Sequence, residues 1–257
     1  MGSDITDHPL GPIIAETTDS LGKVRVHERD GLRFLAFGNL VQQSSMRLER
    51  PEQLQHAYTQ AMMVGVALLP SAGSALVLGL GGGDLVRALH AFKPELAITA
   101  VEYRKSVIRL AKEYFGLAGI KGTRLLHADA EDFVTEHDGH FDLIMADLYL
   151  NDAVNPAQRD ATFVSHCQNL LSAKGILILN LWCEDYATSR DTRWLLEEIF
   201  AGQTWHVLVE GGNHIAFCFA DKVPDLDRKV FFERARRIGA GLGIPLERFA
   251  RMVWGQN

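Results

Sequence analysis

Three acidic residues and one glycine-rich turn are the groups in this chain whose types and spacing suggest chemistry. Glu102, Asp129 and Asp147 each follow a short apolar run, and the turn Gly-Leu-Gly-Gly-Gly-Asp at 79–84 follows the apolar run 75–78. Glycines let a backbone turn sharply and approach a ligand closely, where a side chain would collide. In open α/β sheets, ligands bind in the crevice at the carboxyl ends of the strands. The pattern therefore predicts one crevice in which carboxylates surround a ligand.

The spacing of these residues indicates a nucleoside. Glu102 lies 23 positions after Gly79, where a carboxylate at a strand end accepts hydrogen bonds from both ribose hydroxyls. Asp129 is placed to accept from an adenine amino group beside the backbone of Ala130, although a helix N-cap explains Asp129 equally well. The dinucleotide fingerprint has Gly or Ala where Asp84 stands, so a pyrophosphate would meet a carboxylate. This disfavours an NAD-linked oxidoreductase.

Alternating strands and helices are predicted to position these groups. After the strand at 75–78 and the helix at 84–92, apolar periodicity predicts strands at 96–102, 123–127, 141–146 and 175–182 and helices at 105–115, 130–137, 160–171 and 187–200. Such alternation implies right-handed βαβ units and a doubly wound sheet.

The last part of the sheet is predicted to be antiparallel. Strand-like runs at 205–210 and 214–220 are separated only by Gly-Gly-Asn, which is too short for a parallel crossover and therefore makes a hairpin. A helix at 225–239 follows. Class I methyltransferase-like folds end with such an inserted antiparallel strand, whereas nucleotide-binding dehydrogenases normally add another parallel unit.

A small β-sheet is predicted before the main domain. Residues 23–28 alternate, Asp30-Gly31 forms a tight turn, and 32–37 continues as a second strand. Ser44-Ser45 is interpreted as part of the crossing from strand to helix, and a helical pattern begins at Pro51. We expect residues 1–50 to form a tail and small sheet, and 51–257 to form a Rossmann-like domain.

These motifs together resemble the spermidine synthase family of aminopropyltransferases and its methyltransferase-like relatives, over most of residues 16–221. The matching features are Gly-Asn-Leu-Val-Gln at 38–42, Ala57-Tyr58, 75–83, Val101-Glu102, Asp129-Ala130 and the strand end at Asp147. The resemblance implies a class I S-adenosylmethionine methyltransferase fold, a Rossmann-like doubly wound sheet with a terminal antiparallel hairpin and a small N-terminal β-sheet. It also implies a homodimer or higher oligomer.

The resemblance further implies the roles of individual residues. Glu102 would hold ribose, Asp129 would hold adenine, and Asp147 would face the acceptor amine. Gln42 and Tyr58 would border the active site. The expected donor-binding residues are Gln42, Tyr58, Gly79, Gly81, Gly82, Glu102, Asp129 and Ala130.

The chain departs from the aminopropyltransferase pattern at two places. Family members carry an Asp inside the glycine turn that holds the ammonium of the aminopropyl chain, and Gly82 stands there. They carry a second Asp three residues after the strand-end Asp to bind the diamine, and Leu150 stands there. Asp84 and Asp152 are near in sequence but out of register. Because a desolvated dication needs paired carboxylates, these losses argue against an ordinary putrescine site.

The sequence therefore favours alkyl transfer from a sulfonium donor to a small-molecule acceptor. Methyl transfer from S-adenosylmethionine is slightly favoured over aminopropyl transfer from its decarboxylated form, and a non-catalytic nucleoside-binding module is the alternative of another class. Asp147 would take or orient the acceptor's proton, and Tyr149 either shapes the acceptor pocket or only packs the loop. The loop 148–159 is the expected lid.

Composition restricts the remaining classes of protein. The net charge is −6, without long basic runs, which disfavours nucleic acid. Cys167, Cys183 and Cys218 are interpreted as buried reduced thiols, which predicts a cytoplasmic protein. No apolar run reaches the roughly 18 residues of a membrane span. The histidines in the turn 136–140 are not expected to bind a metal, and the four tryptophans are expected in the core or an interface.

Overall fold

The structure, a computed structural model, describes residues 9–38, 41–150, 153–154, 156–182 and 186–256. Strands in this part of the chain are β1 (Ile13–Asp19), β2 (Gly22–Arg29), β3 (Leu32–Phe37), β4 (Val41–Arg47), β5 (Ser74–Leu78), β6 (Ala97–Glu102), β7 (Thr123–His127), β8 (Phe141–Ala146), β9 (Tyr149–Leu150), β10 (Ala153–Val154), β11 (Leu171–Trp182), β12 (Thr204–Val209) and β13 (Asn213–Phe219). Helices are α1 (Ala57–Met62), α2 (Val64–Leu68), α3 (Asp84–Phe92), α4 (Lys105–Tyr114), α5 (Ala130–Glu136), α6 (Ala161–Asn169), α7 (Tyr186–Ile199), α8 (Arg228–Leu242) and α9 (Leu246–Gln256), with short 3₁₀ turns at Leu117–Gly119 and Pro156–Arg159.

A seven-stranded sheet forms the centre of the molecule in the order β12-β13-β11-β8-β5-β6-β7. Strands β5, β6, β7, β8 and β11 run parallel, and β13 runs antiparallel to both of its neighbours. The sheet thus has the predicted class I S-adenosylmethionine methyltransferase topology, including the terminal hairpin. Strand β11 begins at Leu171 rather than at the predicted 175, because α6 already ends at Asn169.

Alternate residues of the central strands face two separate hydrophobic layers. In β5, Ala75 and Val77 pack into a layer built with α1, α2, α3, α8 and α9. Leu76 and Leu78 point to the opposite face and pack with α5, α6 and α7. All four side chains are at most 1% exposed. Burial on both faces explains why this strand reads as a continuous apolar run.

The N-terminal strands form a separate antiparallel sheet in the order β1-β2-β3-β4. The two-residue turn between β2 and β3 has positive φ at Asp30 (52°) and Gly31 (73°), as the tight hairpin requires. One face of this sheet packs on α4. At its edge the Arg104 guanidinium, which follows β6, binds both Asp19 carboxylate oxygens at 2.7 and 2.9 Å. The small sheet is therefore anchored beside the carboxyl end of the main sheet.

Several predicted features differ in the structure. Ser44 and Ser45 lie inside β4, so their interpretation as a strand-to-helix crossing is wrong. The helical pattern after Pro51 becomes helix only at Ala57 and is divided at Met63, and helix α9 is not predicted at all. The last predicted helix is shifted to Arg228–Leu242, since Asp227 caps it and Gly243 ends it at φ 66°.

Cysteines and tryptophans lie partly as expected. Cys167 and Cys218 are buried free thiols whose pKa values burial raises, whereas Cys183 lies outside the described residues. The Trp194 side chain is 63% exposed, so it is not a core residue. Trp205 and Trp254 pack edge to face at 5.8 Å over the first layer. In the described ranges, no helix has the length and apolar character needed to cross a bilayer.

Candidate active site

A cavity of about 480 Å³ opens at the carboxyl ends of β5, β6 and β8. It lies where the topology predicts the crevice, since the chain order changes direction on either side of β5. Its lining includes nearly all of the predicted site residues. Those in the lining are Tyr58, Gly79, Gly81, Glu102, Asp129, Ala130, Asp147 and Tyr149.

The glycine turn brings the backbone against neighbouring groups. A Cβ on Gly79, at φ 88°, would lie 2.3 Å from the carbonyl oxygen of Asp147. A Cβ on Gly82 would lie 2.8 Å from the Ser44 hydroxyl and 3.0 Å from the Phe115 ring. A side chain at Gly79 would thus collide with backbone, and one at Gly82 would require the Ser44 hydroxyl and the Phe115 ring to shift. Gly82 itself does not line the cavity, whereas Gly81 does.

Glu102 is held by backbone donors at the end of β6. Its carboxylate accepts from the N–H of Arg104 at 2.8 Å and from the N–H of Leu80 at 3.1 Å. Burial raises its pKa, while hydrogen bonds from these two groups and from the Gly81 backbone oppose the rise. The carboxylate is thus fixed in the lining of the cavity beside the glycine turn.

Asp129 lies both at a helix N-terminus and in the lining of the cavity. It caps α5, since its carboxylate accepts from the Glu131 N–H at 2.8 Å. It also lines the cavity together with Ala130. A carboxylate has two oxygens, and only one of them is used by the cap, so the second is available to a ligand.

Asp147 lies at the bottom of the cavity, directly after β8. Burial raises the pKa of its carboxyl group from the ordinary value of 3.8 to about 6, and the nearby Asp84 carboxylate adds to the rise. The Asn180 side chain donates to it at 2.7 Å, and a hydrogen bond from Tyr58 also opposes the rise. A carboxylate with a pKa near 6 is a suitable proton acceptor at neutral pH.

Two asparagines connect Asp147 to Tyr149. The Asn180 amide donates to the Tyr149 hydroxyl at 3.2 Å, and the Asn213 amide donates to the same hydroxyl at 3.3 Å. Asn213 also donates to the Asn180 carbonyl oxygen at 2.9 Å. Sequence reasoning missed both asparagines. A signal for Asn180 was present, because it is a fully buried polar residue in the apolar strand β11.

A buried ion pair lies beneath the glycine turn. The Arg87 guanidinium contacts the Asp84 carboxylate at 2.5 Å, and the other Asp84 oxygen accepts from the Ser44 hydroxyl at 2.6 Å. Arg87 also donates to the carbonyl oxygens of Gly82, Phe115 and Pro51. The Asp84 charge is therefore already compensated by the protein, although this residue also borders the cavity.

Some predicted residues cannot be located. The Gln42 and Leu150 side chains, and all of Asp152, lie outside the described part of the chain. Gln43, the neighbour of Gln42 in β4, does line the cavity. Among the described residues, no group of three or more His, Cys, Asp or Glu side chains is arranged to hold a metal ion.

Comparison with known proteins gives relatives of two kinds. A polyamine aminopropyltransferase of Neisseria meningitidis serogroup A is 27% identical over 239 residues, covering 91% of this chain and 88% of the relative. An eEF1A lysine and N-terminal methyltransferase homolog of Drosophila melanogaster is 33% identical over 156 residues, which are 57% of this chain and only 23% of that protein.

A solved structure and a family model are also similar to this chain. Human methyltransferase-like protein 13, in complex with SAH, superimposes with a TM-score of 0.65 at 27% identity, covering 74% of this chain and 94% of that one. The family model described as the spermine/spermidine synthase domain matches residues 55–190 of the 257. The chain therefore belongs to the spermine/spermidine synthase family and is an S-adenosylmethionine-dependent transferase.

Proposed function

We propose that this protein transfers a methyl group from S-adenosylmethionine to an amine of a small-molecule acceptor. Glu102 and Asp129 would hold the adenosine, and the glycine turn would face the amino-acid tail of the donor. Asp147 and Tyr149 would face the acceptor. The human structural relative at 27% identity was solved with SAH, the product that methyl transfer from S-adenosylmethionine leaves.

One observation carries the choice of methyl transfer. An aminopropyl tail has a lone ammonium that needs a carboxylate, whereas the methionine tail carries both an ammonium and a carboxylate and is neutral overall. The position of the family's aminopropyl anchor is Gly82, where even a Cβ would crowd the Ser44 hydroxyl and the Phe115 ring. The nearest substitute, Asp84, is neutralised by Arg87 at 2.5 Å. Neither position therefore offers a free carboxylate to a lone ammonium.

The reaction needs little from the protein besides alignment and a proton acceptor. The acceptor amine is an ammonium at neutral pH and must first lose one proton. Its lone pair then attacks the methyl carbon, and the C–S bond breaks with its electrons passing to sulfur. Asp147 would accept this proton, since a pKa of about 6 keeps it mostly ionised at neutral pH. Holding the two reactants in line would supply most of the acceleration.

Aminopropyl transfer is the second candidate, and a specific observation favours it. The polyamine aminopropyltransferase relative covers 91% of this chain, whereas the methyltransferase homolog covers 57%. A third possibility, a nucleoside-binding module without activity, would need only the residues proposed to hold the adenosine, Glu102 and Asp129, and the glycine turn.

Product analysis distinguishes the three candidates. The purified protein would be incubated separately with S-adenosylmethionine and its decarboxylated form, each with a pool of amines, and the nucleoside products identified by mass spectrometry. We expect S-adenosylhomocysteine from the first donor, and calorimetric binding at least about tenfold tighter for S-adenosylmethionine. Methylthioadenosine from the second donor would reverse the choice. Tight binding without either product would leave only the binding module.

A further inference from the structure

The Tyr149 hydroxyl is fixed between two amide groups at the wall of the cavity. The amide nitrogens of Asn180 and Asn213 lie 3.2 and 3.3 Å from it. They come from neighbouring antiparallel strands, β11 and β13, where residue 180 pairs with 215 and residue 182 with 213. The hydroxyl is therefore positioned by the main sheet rather than by the loop that carries it.

The charge on Asp147 determines the direction of every hydrogen bond in this network. An ionised carboxylate only accepts, so Asn180 must turn its NH₂ group toward Asp147. The Asn180 carbonyl oxygen then faces Asn213, which must donate to it at 2.9 Å. The remaining N–H of each amide points at Tyr149. Reversing the Asn180 amide would place its oxygen against the Asp147 carboxylate, and reversing the Asn213 amide would place its oxygen against the Asn180 oxygen.

The Tyr149 oxygen consequently receives two donors and keeps its own proton for another partner. A phenolic oxygen accepts about two hydrogen bonds, and both are supplied here. Among the described residues, no side chain accepts the Tyr149 proton, and this residue lines the cavity. Burial raises the pKa of Tyr149, and the nearby Asp147 charge raises it further, so the hydroxyl stays protonated. It is a directed hydrogen-bond donor.

We propose that the acceptor carries an oxygen atom that accepts a hydrogen bond from Tyr149, close to the nitrogen that becomes alkylated. Amino alcohols, amino amides and amino acids meet this requirement. The inference rests on the proposed function, since it treats the space beside Tyr149 and Asp147 as the acceptor site.

Simple diamines do not meet the requirement. At neutral pH their second nitrogen is an ammonium, which only donates and would face the Tyr149 proton with both lone pairs of the phenol occupied. The nucleophilic nitrogen cannot be the partner either, because a hydrogen bond to its lone pair would oppose attack on the methyl carbon. The accepting atom must therefore be a separate one. Asn180 and Asn213 are positioning residues in this scheme.

Three amines of equal size test the proposal directly. Ethanolamine, ethylenediamine and propylamine differ only in the group at one end, which is a hydroxyl, an ammonium or a methyl. Binding to the protein saturated with S-adenosylhomocysteine would be measured by ligand-detected NMR. We expect ethanolamine to bind about 5- to 30-fold more tightly than either of the others, as a buried donor left without a partner implies.

Variants link the preference to the network. Tyr149→Phe is expected to reduce the preference to within about twofold, and Asn213→Ala should weaken it because the hydroxyl loses a fixed orientation. Asn169→Ala, at the exposed end of α6, is the matched control and should retain it. Affinity for S-adenosylhomocysteine should be equal in all four proteins. This common affinity distinguishes a positioning role from general damage to the fold.

The outcomes separate this inference from the proposed function. Equal binding of the three amines, tighter binding of ethylenediamine, or a preference that survives in Tyr149→Phe would overturn the inference, whichever product the enzyme makes. Absence of S-adenosylhomocysteine in the turnover assay, with the ethanolamine preference intact, would overturn methyl transfer and leave the inference standing.

Discussion

The site as proposed has a donor half and an acceptor half, which are built in different ways. In the donor half, groups that follow successive strands meet at one edge of the sheet, and the Glu102 carboxylate is held by backbone N–H groups within 22 positions of it. In the acceptor half, side chains hold one another across long separations, such as the 64 positions between Tyr149 and Asn213. The geometry of the first half follows from a local motif. The geometry of the acceptor half depends on side chains that come from the distant terminal hairpin.

The largest expected effect is on kcat/KM, when the proposed proton acceptor Asp147 in the acceptor half is replaced. Asp147→Asn keeps the shape but removes the base, so kcat/KM should fall by roughly 10²- to 10⁴-fold while donor affinity is retained. Steady-state kinetics and calorimetry measure the two quantities. Asp142→Asn, in the same strand β8 but at its opposite end, is the matched control and should keep kcat. If Asp147→Asn lost donor affinity by the same factor as kcat/KM, the donor and acceptor halves would not act independently.

A second prediction concerns the ion pair beneath the donor half. Arg87→Ala leaves Asp84 buried without a cation, and the free energy of unfolding should fall by about 3–5 kcal/mol. Arg193→Ala removes an exposed pair with Glu197 in α7 and should cost about 0.3–0.5 kcal/mol. Denaturant unfolding of both variants checks the contrast. Similar losses would mean that burial of the first pair has no energetic consequence.

Glu102 tests the donor half alone. Glu102→Gln keeps the size of the side chain but loses the charge that would accept from ribose, so donor affinity should fall about 10- to 100-fold. The value of kcat at saturating donor should change little, because the acceptor half is untouched. Titration calorimetry and saturation kinetics give the two values. A fall in kcat at unchanged affinity would assign Glu102 to the chemistry instead.

The pH dependence should come from the acceptor half. Below about pH 6 the Asp147 carboxylate becomes protonated, so kcat/KM should fall about tenfold per pH unit on the acid side. Its pKa is higher in the folded protein than in the unfolded chain, so the folded state binds the proton more tightly. Its contribution to stability therefore falls as the pH rises from 3.8 to about 6. Asp147→Asn should lose both the fall of kcat/KM below about pH 6 and this pH dependence of stability. If kcat/KM of that variant still fell in the same way at low pH, Asp147 would be excluded as the titrating group.

The smallest effect distinguishes the two roles of Asp129. Asp129→Ala loses the cap of α5 and should cost about 1 kcal/mol of stability, whereas Asp129→Ser keeps a capping oxygen and should cost less. Both variants should bind the donor more weakly, by about threefold to tenfold, because neither reaches the adenine. Thermal unfolding and calorimetry report the two roles separately. Unchanged donor affinity in both variants would reduce Asp129 to a cap.

The donor half was predictable from the sequence because its parts are local. A glycine turn after an apolar strand and acidic residues at the next strand ends need only the βαβ pattern to be brought together. The terminal hairpin was equally readable, since Gly-Gly-Asn leaves no room for a crossover. Strand β4 was only partly foreseen, because its polar residues Gln42, Ser44 and Ser45 lack the alternation of apolar residues that marks a strand.

The acceptor half was not predictable in the same way. Asn180 and Asn213 meet only because β11 and β13 pair in one register, and a shift of β13 by one residue would turn the Asn213 side chain to the other face of the sheet. The compensation of Asp84 by Arg87 follows ordinary helix spacing, yet its burial depends on the packing of the small sheet over α3 and α4. Such contacts are set by tertiary structure, which no local pattern encodes.

The close approach of Gly79 to the Asp147 carbonyl oxygen has a consequence for engineering. A Cβ on Gly79 would lie 2.3 Å from that oxygen, so the backbone at Gly79 and the backbone at Asp147 pack too closely for a side chain between them. In the proposed site, the separation between the alkyl donor and the proton acceptor is thus a property of the backbone rather than of any replaceable side chain. Libraries that aim at new acceptors can vary Tyr149 and its asparagine supports while this spacing stays constant.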